Sequence, residues 1–256
     1  MKNIAHRGFS GKYPENTLIA FKKAIELEAD MIELDITLSK DKIPIVIHDD
    51  TLERTTNGNG KVRATASNKL KLLDAGSWKN PKFHEERIPT LEEVLRLIEK
   101  SKIDLNIEIK SSAFEKKHST SCIELQTLNL IQKYKLMNRI VISSFESKIL
   151  LRLRELSAKV RLGFLIEPNF ETIKSDPMAF VKQIRASSLN MHKSQVGSKI
   201  FKHAIDLKIP IFIYTVNTIQ EMKKMQANQV AGVFTNFPDR LKKITTDNKN
   251  KKILLF

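Results

Sequence analysis

The stretch that decides the fold is MIELDITLSKDKIPIVIHD, residues 31–49. It contains two apolar, β-branched runs, residues 31–38 and 43–48, with only SKDK between them. Parallel strands need a crossover connection of about a dozen residues or more. So short a link therefore predicts an antiparallel hairpin with its turn centred on Lys40 and Asp41.

Seven further runs of strand-like sequence lie outside this hairpin, and most segments between them repeat apolar residues at helical three- and four-residue spacing. These runs are NIAH (3–6), DLNIEIK (104–110), RIVISSF (139–145), VRLGFLI (160–166), SSLNM (187–191), IPIFIYTV (209–216) and AGVFTNF (231–237). Strands that alternate with helices predict parallel strands joined by crossover helices. Without the hairpin's return strand, eight strands remain in βα order. That number closes an α/β (β/α)8 TIM barrel, here with one extra hairpin strand.

An open, doubly wound sheet is the alternative architecture. It is disfavoured because the loop after the first strand has no Gly-x-Gly-x-x-Gly and no change of composition marks a second domain. We expect residues 1–256 to form one domain with a small insertion at about residues 49–89. The insertion is rich in turn residues, with one helical patch at SNKLKLLDAG (67–76), and it follows His48 directly. A loop of this length usually serves as a lid or a binding insertion.

Composition limits the class of protein and its partners. The 256 residues are 41% hydrophobic and 29% charged, which is typical of a globular protein. The single cysteine, Cys122, excludes an intramolecular disulfide, and no apolar run reaches the length of a membrane span. We therefore expect a cytoplasmic protein without stable membrane insertion. The net charge of +15 comes mostly from scattered lysines, so we predict no nucleic-acid partner.

Acidic residues interrupt the first hairpin strand in a regular way. Ile32, Leu34 and Ile36 alternate with Glu33 and Asp35, so both carboxylates lie on one face of the strand. If the apolar face meets the helices, the carboxylates point into the barrel, where they repel each other and lose hydration. A hard divalent cation such as Mg²⁺, Ca²⁺ or Mn²⁺ would relieve this repulsion. The alternative is a strand whose polar face is solvated.

The same alternation in DLNIEIK puts Asn106, Glu108 and Lys110 on one face. Glu108 is a candidate third metal ligand, and Lys110 could contact a phosphate oxygen or could instead neutralise the acids without a metal. A hairpin turn at Lys40 and Asp41 places residues whose numbers sum to about 81 opposite one another. His48 is therefore expected opposite Glu33, within one position.

His6 and Arg7 end the first strand, at the carboxyl-terminal face where barrel enzymes build their active sites. A divalent cation together with Arg7 and Lys110 suits a phosphoryl group, whose negative charge these groups would stabilise. His6 and His48 suit acid–base catalysis near neutral pH. The combination predicts cleavage of a phosphodiester.

The motifs also carry a family resemblance. They are AHRG (5–8), PENT (14–17), ELD (33–35), IHDDTLERTTNGNG (47–60), LLDAGSW (72–78), IPTLEEVL (88–95), NIEIK (106–110), YTVN (214–217) and GVFTNFP (232–238). In this order, nearly from end to end, the chain resembles a glycerophosphodiester phosphodiesterase of the bacterial cytoplasmic type. The resemblance implies a TIM barrel that hydrolyses a small-molecule glycerophosphodiester to sn-glycerol 3-phosphate and an alcohol.

The resemblance also implies roles for the candidate residues. The metal ligands would be Glu33, Asp35 and Glu108, the acid–base pair His6 and His48, and the phosphate contacts Arg7 and Lys110. The cofactor would be one divalent cation, Mg²⁺, Ca²⁺ or Mn²⁺. Spacing does not say which histidine is the base; our working assignment is His6 as base and His48 as acid. Either water or the glycerol 2-hydroxyl could be the nucleophile.

Two other functions stay open at this point: lysophospholipase D-like hydrolysis of lysophospholipids, and a non-catalytic barrel that binds a phosphate ligand. The chain also departs from the family pattern twice. Tyr214 stands where tryptophan often precedes TVN, and Asn236 stands where T-D-x-P is common. We expect both departures to affect substrate fit and neither to touch the metal site or the histidines.

Overall fold

The strands and helices alternate along the chain in the computed structural model, which describes residues 1–117, 119–168 and 176–244. The strands are β1 (Lys2–His6), β2 (Met31–Leu38), β3 (Pro44–Val46), β4 (Asp104–Ile109), β5 (Ile140–Ser144), β6 (Arg161–Ile166), β7 (Ser188–His192), β8 (Ile211–Tyr214) and β9 (Gly232–Thr235). All the neighbouring pairs are parallel except β2 and β3. Because β1 pairs with both β2 and β9, the sheet closes into an eight-stranded barrel. The predicted (β/α)8 TIM barrel with one extra strand is confirmed.

The extra strand β3 extends one edge of β2 beyond the point where β1 ends. β1 pairs with the first half of β2, from Met31 to Glu33, and β3 pairs antiparallel with Ile36–Leu38 on the second half. The paired residue numbers in this hairpin sum to 82, as in Ile36 with Val46, so the expected register is right within one position. The ends of β1 and β3 consequently converge on the middle of β2.

Helices surround the barrel and cover its apolar outer face. They are α1 (Leu18–Glu26), α2 (Ser67–Leu70), α3 (Leu91–Glu99), α4 (Ile123–Lys133), α5 (Ser147–Leu156), α6 (Pro177–Gln183), α7 (Lys199–Asp206) and α8 (Ile219–Ala227), and residues 238–244 are also helical. In α3, Thr90 and Glu93 form a capping box that satisfies free backbone N–H groups at the first turn. Its apolar stripe, which includes Leu91, Leu95 and Ile98, is fully buried. Burial of each such side chain stabilises the fold by about 1.5–3 kcal/mol. None of the helices in the described ranges is long and apolar enough to cross a membrane.

The barrel interior is apolar at its amino-terminal end. Ile4, Met31, Val141 and Phe234 form a buried cluster there, from four different strands. Side chains two residues further along these strands occupy the next layer toward the carboxyl-terminal face. Glu33, two residues after Met31, is the acid of that next layer, so the apolar cluster lies on its amino-terminal side.

The insertion has a small apolar core of its own. It combines residues of the hairpin with residues of the insertion, namely Ile45, Ile47, Leu52, Val62, Leu70, Ala75 and Ile88. The helical patch expected at 67–76 is helical only over Ser67–Leu70. It ends early because the Asp74 carboxylate accepts hydrogen bonds from the backbone N–H groups of Gly76 and Ser77, which stabilises a turn instead. The extent of the domain, residues 1–256, and the lid role of the insertion stay predictions.

Candidate active site

Three carboxylates, two of them buried and the third partly buried, lie in the carboxyl-terminal half of the barrel. Glu33 and Asp35 come from β2, and Glu108 comes from β4, where it pairs directly with Asp35 in the parallel register. One oxygen from each carboxylate lies within 4.8 Å of the others. Glu33 and Asp35 are only 2% and 1% exposed. The period-two pattern thus brings the predicted acids together, within the spacing of one shared cation.

The three acids differ in how their charge is balanced. Asp35 lies 3.3 Å from Nε of Arg7 and 3.5 Å from Nζ of Lys110. Burial alone would raise its pKa, but these two cations hold the pKa of Asp35 below its ordinary value. Burial raises the pKa of Glu108 to about 7, even though Lys110 donates a hydrogen bond to Glu108 at 3.0 Å. Lys110 therefore neutralises the cluster only in part.

Glu33 has the largest unmet requirement for positive charge. Burial, and then the charges of Asp35 and Glu108, raise its pKa well above the ordinary value. Its Oε1 atom is buried and has no hydrogen-bond partner within the described ranges. A buried, unpartnered carboxylate oxygen is costly unless a cation contacts it. The set consists only of carboxylate oxygens, so it fits a hard divalent cation.

The raised pKa of Glu108 makes a prediction about stability in EDTA. The folded protein keeps a proton on Glu108 up to pH about 7, whereas the unfolded chain releases it near 4.5. The Glu108 carboxyl therefore destabilises the metal-free fold progressively as the pH rises between these two values. We expect the free energy of unfolding of Glu108→Gln to exceed that of the unmutated protein by an amount that grows as the pH rises from 4.5 to about 7.

Urea unfolding at a series of pH values measures this difference. The contribution of His6 has the opposite sign, because its pKa is lowered in the fold, but it cancels between the two proteins. Glu99→Gln, at the exposed end of α3, is the matched control and should show no pH-dependent gain. A difference between Glu108→Gln and the unmutated protein that stays constant from pH 4.5 to 7 would contradict the prediction.

His6 lies beside Glu33, as the register of β1 on β2 requires. Its Nε2 atom is 3.9 Å from Oε2 of Glu33. Burial, and then the positive charge of Arg7, lower the pKa of His6 to about 4, so the ring is neutral at pH 7. Nδ1 lies 2.7 Å from Oδ1 of Asn236, an acceptor, so we place the ring proton on Nδ1. Nε2 then carries a free lone pair toward the site.

The contact with Asn236 corrects one expectation. Asn236 was expected to lie apart from the histidines, but its side chain contacts His6 directly. The reason is barrel closure: β9 is the neighbour of β1, and Thr235 pairs with Ala5. The residues that follow this pair in the chain are Asn236 and His6, and they therefore meet. Tyr214 makes no such contact, and its hydroxyl donates to the carbonyl of Ile166 at 2.6 Å.

His48 enters the site from the hairpin side. Ile47 lies between β3 and His48, and its backbone N–H donates to the carbonyl of Asp35. Nδ1 of His48 lies 2.5 Å from Oδ1 of Asp49. A hydrogen bond from Arg54 is the main reason why the pKa of Asp49 falls to about 2. An anionic Asp49 therefore accepts a hydrogen bond from the Nδ1–H of His48, and Nε2 is the ring nitrogen that this contact leaves free.

Arg7 is held by a short turn after β1. Its φ is +57°, and its backbone N–H donates to Oε2 of Glu33 at 2.9 Å. Its Nη1 donates to Glu15 at 2.8 Å. Gly8 follows with φ +77°, and a Cβ there would lie 2.7 Å from the backbone of Ala20. Only glycine fits this turn between the strand and α1.

One cavity of about 140 Å³ joins these groups at the carboxyl ends of the strands. Of the seven candidate residues, all but Asp35 line it, and Asp35 is buried at 1% exposure beside them. An apolar wall consists of Phe145, Leu165 and the ring of Tyr214, and Phe234 from the buried interior cluster also lines the cavity. The cavity thus has a charged side for a phosphate and an apolar side for an organic group.

Several residues at the site were not among the candidates. Asn16 donates from its amide to Oδ2 of Asp35 at 2.9 Å, and Glu15, Asp49 and Arg54 form ion pairs around Arg7 and His48. All four lie in PENT and IHDDTLER, the motifs quoted for the resemblance. Those motifs were the available signal. They lie in loops, where no periodicity predicts which side chains meet.

The fold and the site define a barrel enzyme for phosphate-ester chemistry, and comparison with known proteins gives the family. The model of the glycerophosphoryl diester phosphodiesterase family matches residues 6–240. The chain is 38% identical over 254 residues to the Bacillus subtilis protein YhdW, covering 98% of this chain and 99% of that protein. It is 36% identical over 238 residues to a glycerophosphodiester phosphodiesterase of Caldanaerobacter subterraneus, covering 93% and 95%.

A solved structure is similar over the same extent. It is a phosphodiesterase of Oleispira antarctica in complex with the product sn-glycerol-3-phosphate, with TM-score 0.82, 28% identity and coverage of 95% of this chain and 96% of that one. The chain belongs to the glycerophosphoryl diester phosphodiesterase family. It is therefore a hydrolase of the phosphodiesterase type, as the motifs predicted.

Proposed function

We propose that this enzyme hydrolyses glycerophosphodiesters to sn-glycerol 3-phosphate and an alcohol, with one divalent cation, Mg²⁺, Ca²⁺ or Mn²⁺, held by Glu33, Asp35 and Glu108. The observation that carries the proposal is the cluster of three carboxylates, in which the buried Glu33 Oε1 lacks a hydrogen-bond partner among the described residues. His6 and His48 line the same cavity, and the Nδ1 atom of each is held by a side-chain oxygen. The product bound to the Oleispira relative supports the same substrate class.

The phosphate group would lie between Arg7 and Lys110, which line the same cavity. Both keep their positive charge at neutral pH, because the nearby carboxylates outweigh burial and raise the pKa of each above its ordinary value. When bound, a divalent cation supplies further positive charge for the phosphoryl oxygens. Arg7 and Lys110 orient the phosphate and stabilise the charge that spreads over its oxygens in the transition state.

We assign His6 as the general base. It is neutral at pH 7, and its Nε2 lone pair faces the site while Asn236 holds the Nδ1 proton. It would remove a proton from the nucleophile, either water or the glycerol 2-hydroxyl. Asn236 keeps the ring in this tautomer. A carboxylate at the same position would also do so, but it would add a negative charge.

We assign His48 as the general acid. Asp49 accepts the Nδ1 proton and fixes the orientation of the ring, so Nε2 exchanges protons with the substrate. From this side it would protonate the oxygen of the leaving alcohol. The apolar wall of Phe145, Leu165 and Tyr214 would contact the organic part of the substrate.

The test is product analysis with purified enzyme. We expect release of sn-glycerol 3-phosphate from glycerophosphocholine with Mg²⁺, Ca²⁺ or Mn²⁺ and much slower release of lysophosphatidic acid from lysophosphatidylcholine. A strong preference for the acylated substrate would favour the lysophospholipase D-like function instead. Salt-sensitive DNA binding without diesterase activity would favour a binding protein. A cyclic phosphate in ³¹P NMR spectra would identify the 2-hydroxyl as the nucleophile.

The cytoplasmic location and the lack of a nucleic-acid partner stay predictions. Cell fractionation followed by detection of the tagged protein tests the location. A filter-binding assay at low salt, with duplex and single-stranded DNA, tests the second expectation.

A further inference from the structure

Arg54 lies in the insertion six residues after His48 and makes two bidentate contacts. Its Nη1 and Nη2 donate to the two oxygens of Glu15 at 3.0 and 2.8 Å. Its Nε and Nη2 donate to the two oxygens of Asp49 at 2.5 and 3.0 Å. The planar guanidinium thus uses two of its edges on two carboxylates, a geometry that lysine cannot reproduce.

Each of these carboxylates has a second partner inside the site. Glu15 Oε1 also accepts from Nη1 of Arg7 at 2.8 Å. Asp49 Oδ1 also lies 2.5 Å from Nδ1 of His48. One guanidinium therefore joins two short chains of hydrogen bonds, one that ends at the phosphate-binding side of the cavity and one that ends at His48.

Charge balance shows what Arg54 does for these chains. Glu15 and Asp49 are both anionic at neutral pH, and hydrogen bonds from Arg54 lower the pKa of each. Without Arg54, the ion-pair partners left among the described residues would be Arg7 for Glu15 and His48 for Asp49. Arg7 would then be drawn toward Glu15, and His48 toward Asp49, and both would move away from the cavity. Displacement of catalytic groups by about 1 Å is enough to slow a reaction about a hundredfold.

Arg54 is not well placed to act as a structural anchor. Its side chain is 44% exposed, and exposed ion pairs contribute little to folding stability. Its role in positioning should therefore be separable from a role in folding. Arg87, in the same insertion, is a matched control because its described hydrogen bonds go to the backbone carbonyls of His84 and Glu86.

We propose that Arg54 is a positioning residue that sets the geometry of both Arg7 and His48 through Glu15 and Asp49, and so couples the insertion to the active site. The proposal rests on the hydrolase function proposed above. It gives the insertion a defined task, which is to supply the guanidinium that orients the phosphate-binding and proton-donating sides of the cavity together.

Turnover of glycerophosphocholine by Arg54→Ala, Arg54→Lys and Arg87→Ala tests the proposal. For Arg54→Ala we expect kcat to fall 10- to 100-fold with little change in Tm, as for other residues that orient a ligand or catalytic group. Arg54→Lys should be intermediate, because an ammonium group can contact only part of the two carboxylates. Millimolar guanidinium chloride, compared with the same concentration of sodium chloride, should restore part of the kcat of Arg54→Ala and leave Arg87→Ala unchanged.

A mutant cycle tests the route through the two carboxylates. In a background of Glu15→Gln with Asp49→Asn, the further change Arg54→Ala should cost little additional activity, because its partners are already neutral. A full additional loss in that background would overturn the proposal.

Two other outcomes would also overturn it. In the first, Arg54→Ala has the same kcat as Arg87→Ala. In the second, Arg54→Ala loses activity together with a lower Tm, and guanidinium does not restore the activity. Failure of the proposed function looks different. The unmutated enzyme would then release no sn-glycerol 3-phosphate with any of the three metals, and the positioning proposal would fall with it.

Discussion

Hydrolysis of glycerophosphocholine is expected to stop in excess EDTA and to resume when a divalent cation is added back. The reason is the cluster of Glu33, Asp35 and Glu108, whose carboxylate oxygens lie within 4.8 Å of one another with only partial neutralisation by Arg7 and Lys110. Loss of a Lewis acid removes several kcal/mol of transition-state stabilisation, so we expect a fall of roughly a thousandfold or more. Full activity in EDTA would exclude the proposed metal site.

The substitution Glu33→Gln tests the proposed metal site by changing one of its three ligands. Glutamine keeps the volume and can still accept from the Arg7 backbone N–H, but it removes the charge of the carboxylate whose Oε1 is unpartnered among the residues described. We expect weaker divalent-cation binding by calorimetry together with lower kcat. Glu155→Gln, on the exposed face of α5, is the control and should bind the cation normally. Unchanged cation affinity in Glu33→Gln would contradict its role as a ligand.

His6→Ala and His48→Ala are each expected to lower kcat by roughly a hundredfold or more, which is the usual contribution of a general acid or base. Steady-state kinetics at saturating cation measure the effect. His203→Ala changes an exposed histidine on α7 and should leave kcat unaltered. If either active-site variant retained the kcat of His203→Ala, that histidine would have no role in proton transfer.

A substrate with a better leaving group separates the two histidines. The p-nitrophenolate released from bis(p-nitrophenyl) phosphate needs no proton, so it bypasses a general acid but still requires a base. We expect His48→Ala to lose little activity on this substrate and His6→Ala to remain strongly impaired. The opposite result would reverse the assignment of base and acid that rests on Asn236 and Asp49.

The acid cluster and much of the barrel could be predicted from local patterns. The alternation in β2 and β4 was enough to place Glu33, Asp35 and Glu108 on inward faces, because side chains of a strand point alternately to its two sides. The four-residue link SKDK was enough for the hairpin, and the hairpin was enough to bring His48 toward β2. These inferences need only the geometry of one strand or of one pair of strands.

The partner of His6 and the contact of Arg54 with Glu15 could not be predicted in this way. Asn236 reaches His6 only because the barrel closes and makes β9 the neighbour of β1, although the two residues are 230 positions apart in the chain. Arg54 contacts Asp49 only five residues away, but it also contacts Glu15, 39 positions earlier in the chain, through a loop-to-loop contact that no periodicity predicts.

Strand periodicity is a local property of the chain, and it determined which residues face the barrel interior. Loop conformation and barrel closure depend on contacts between distant segments, and no repeating pattern records them. For this reason the acids and the histidines are evident in the amino-acid sequence, whereas the contacts of His6 with Asn236 and of Arg54 with Glu15 emerge only in the tertiary structure.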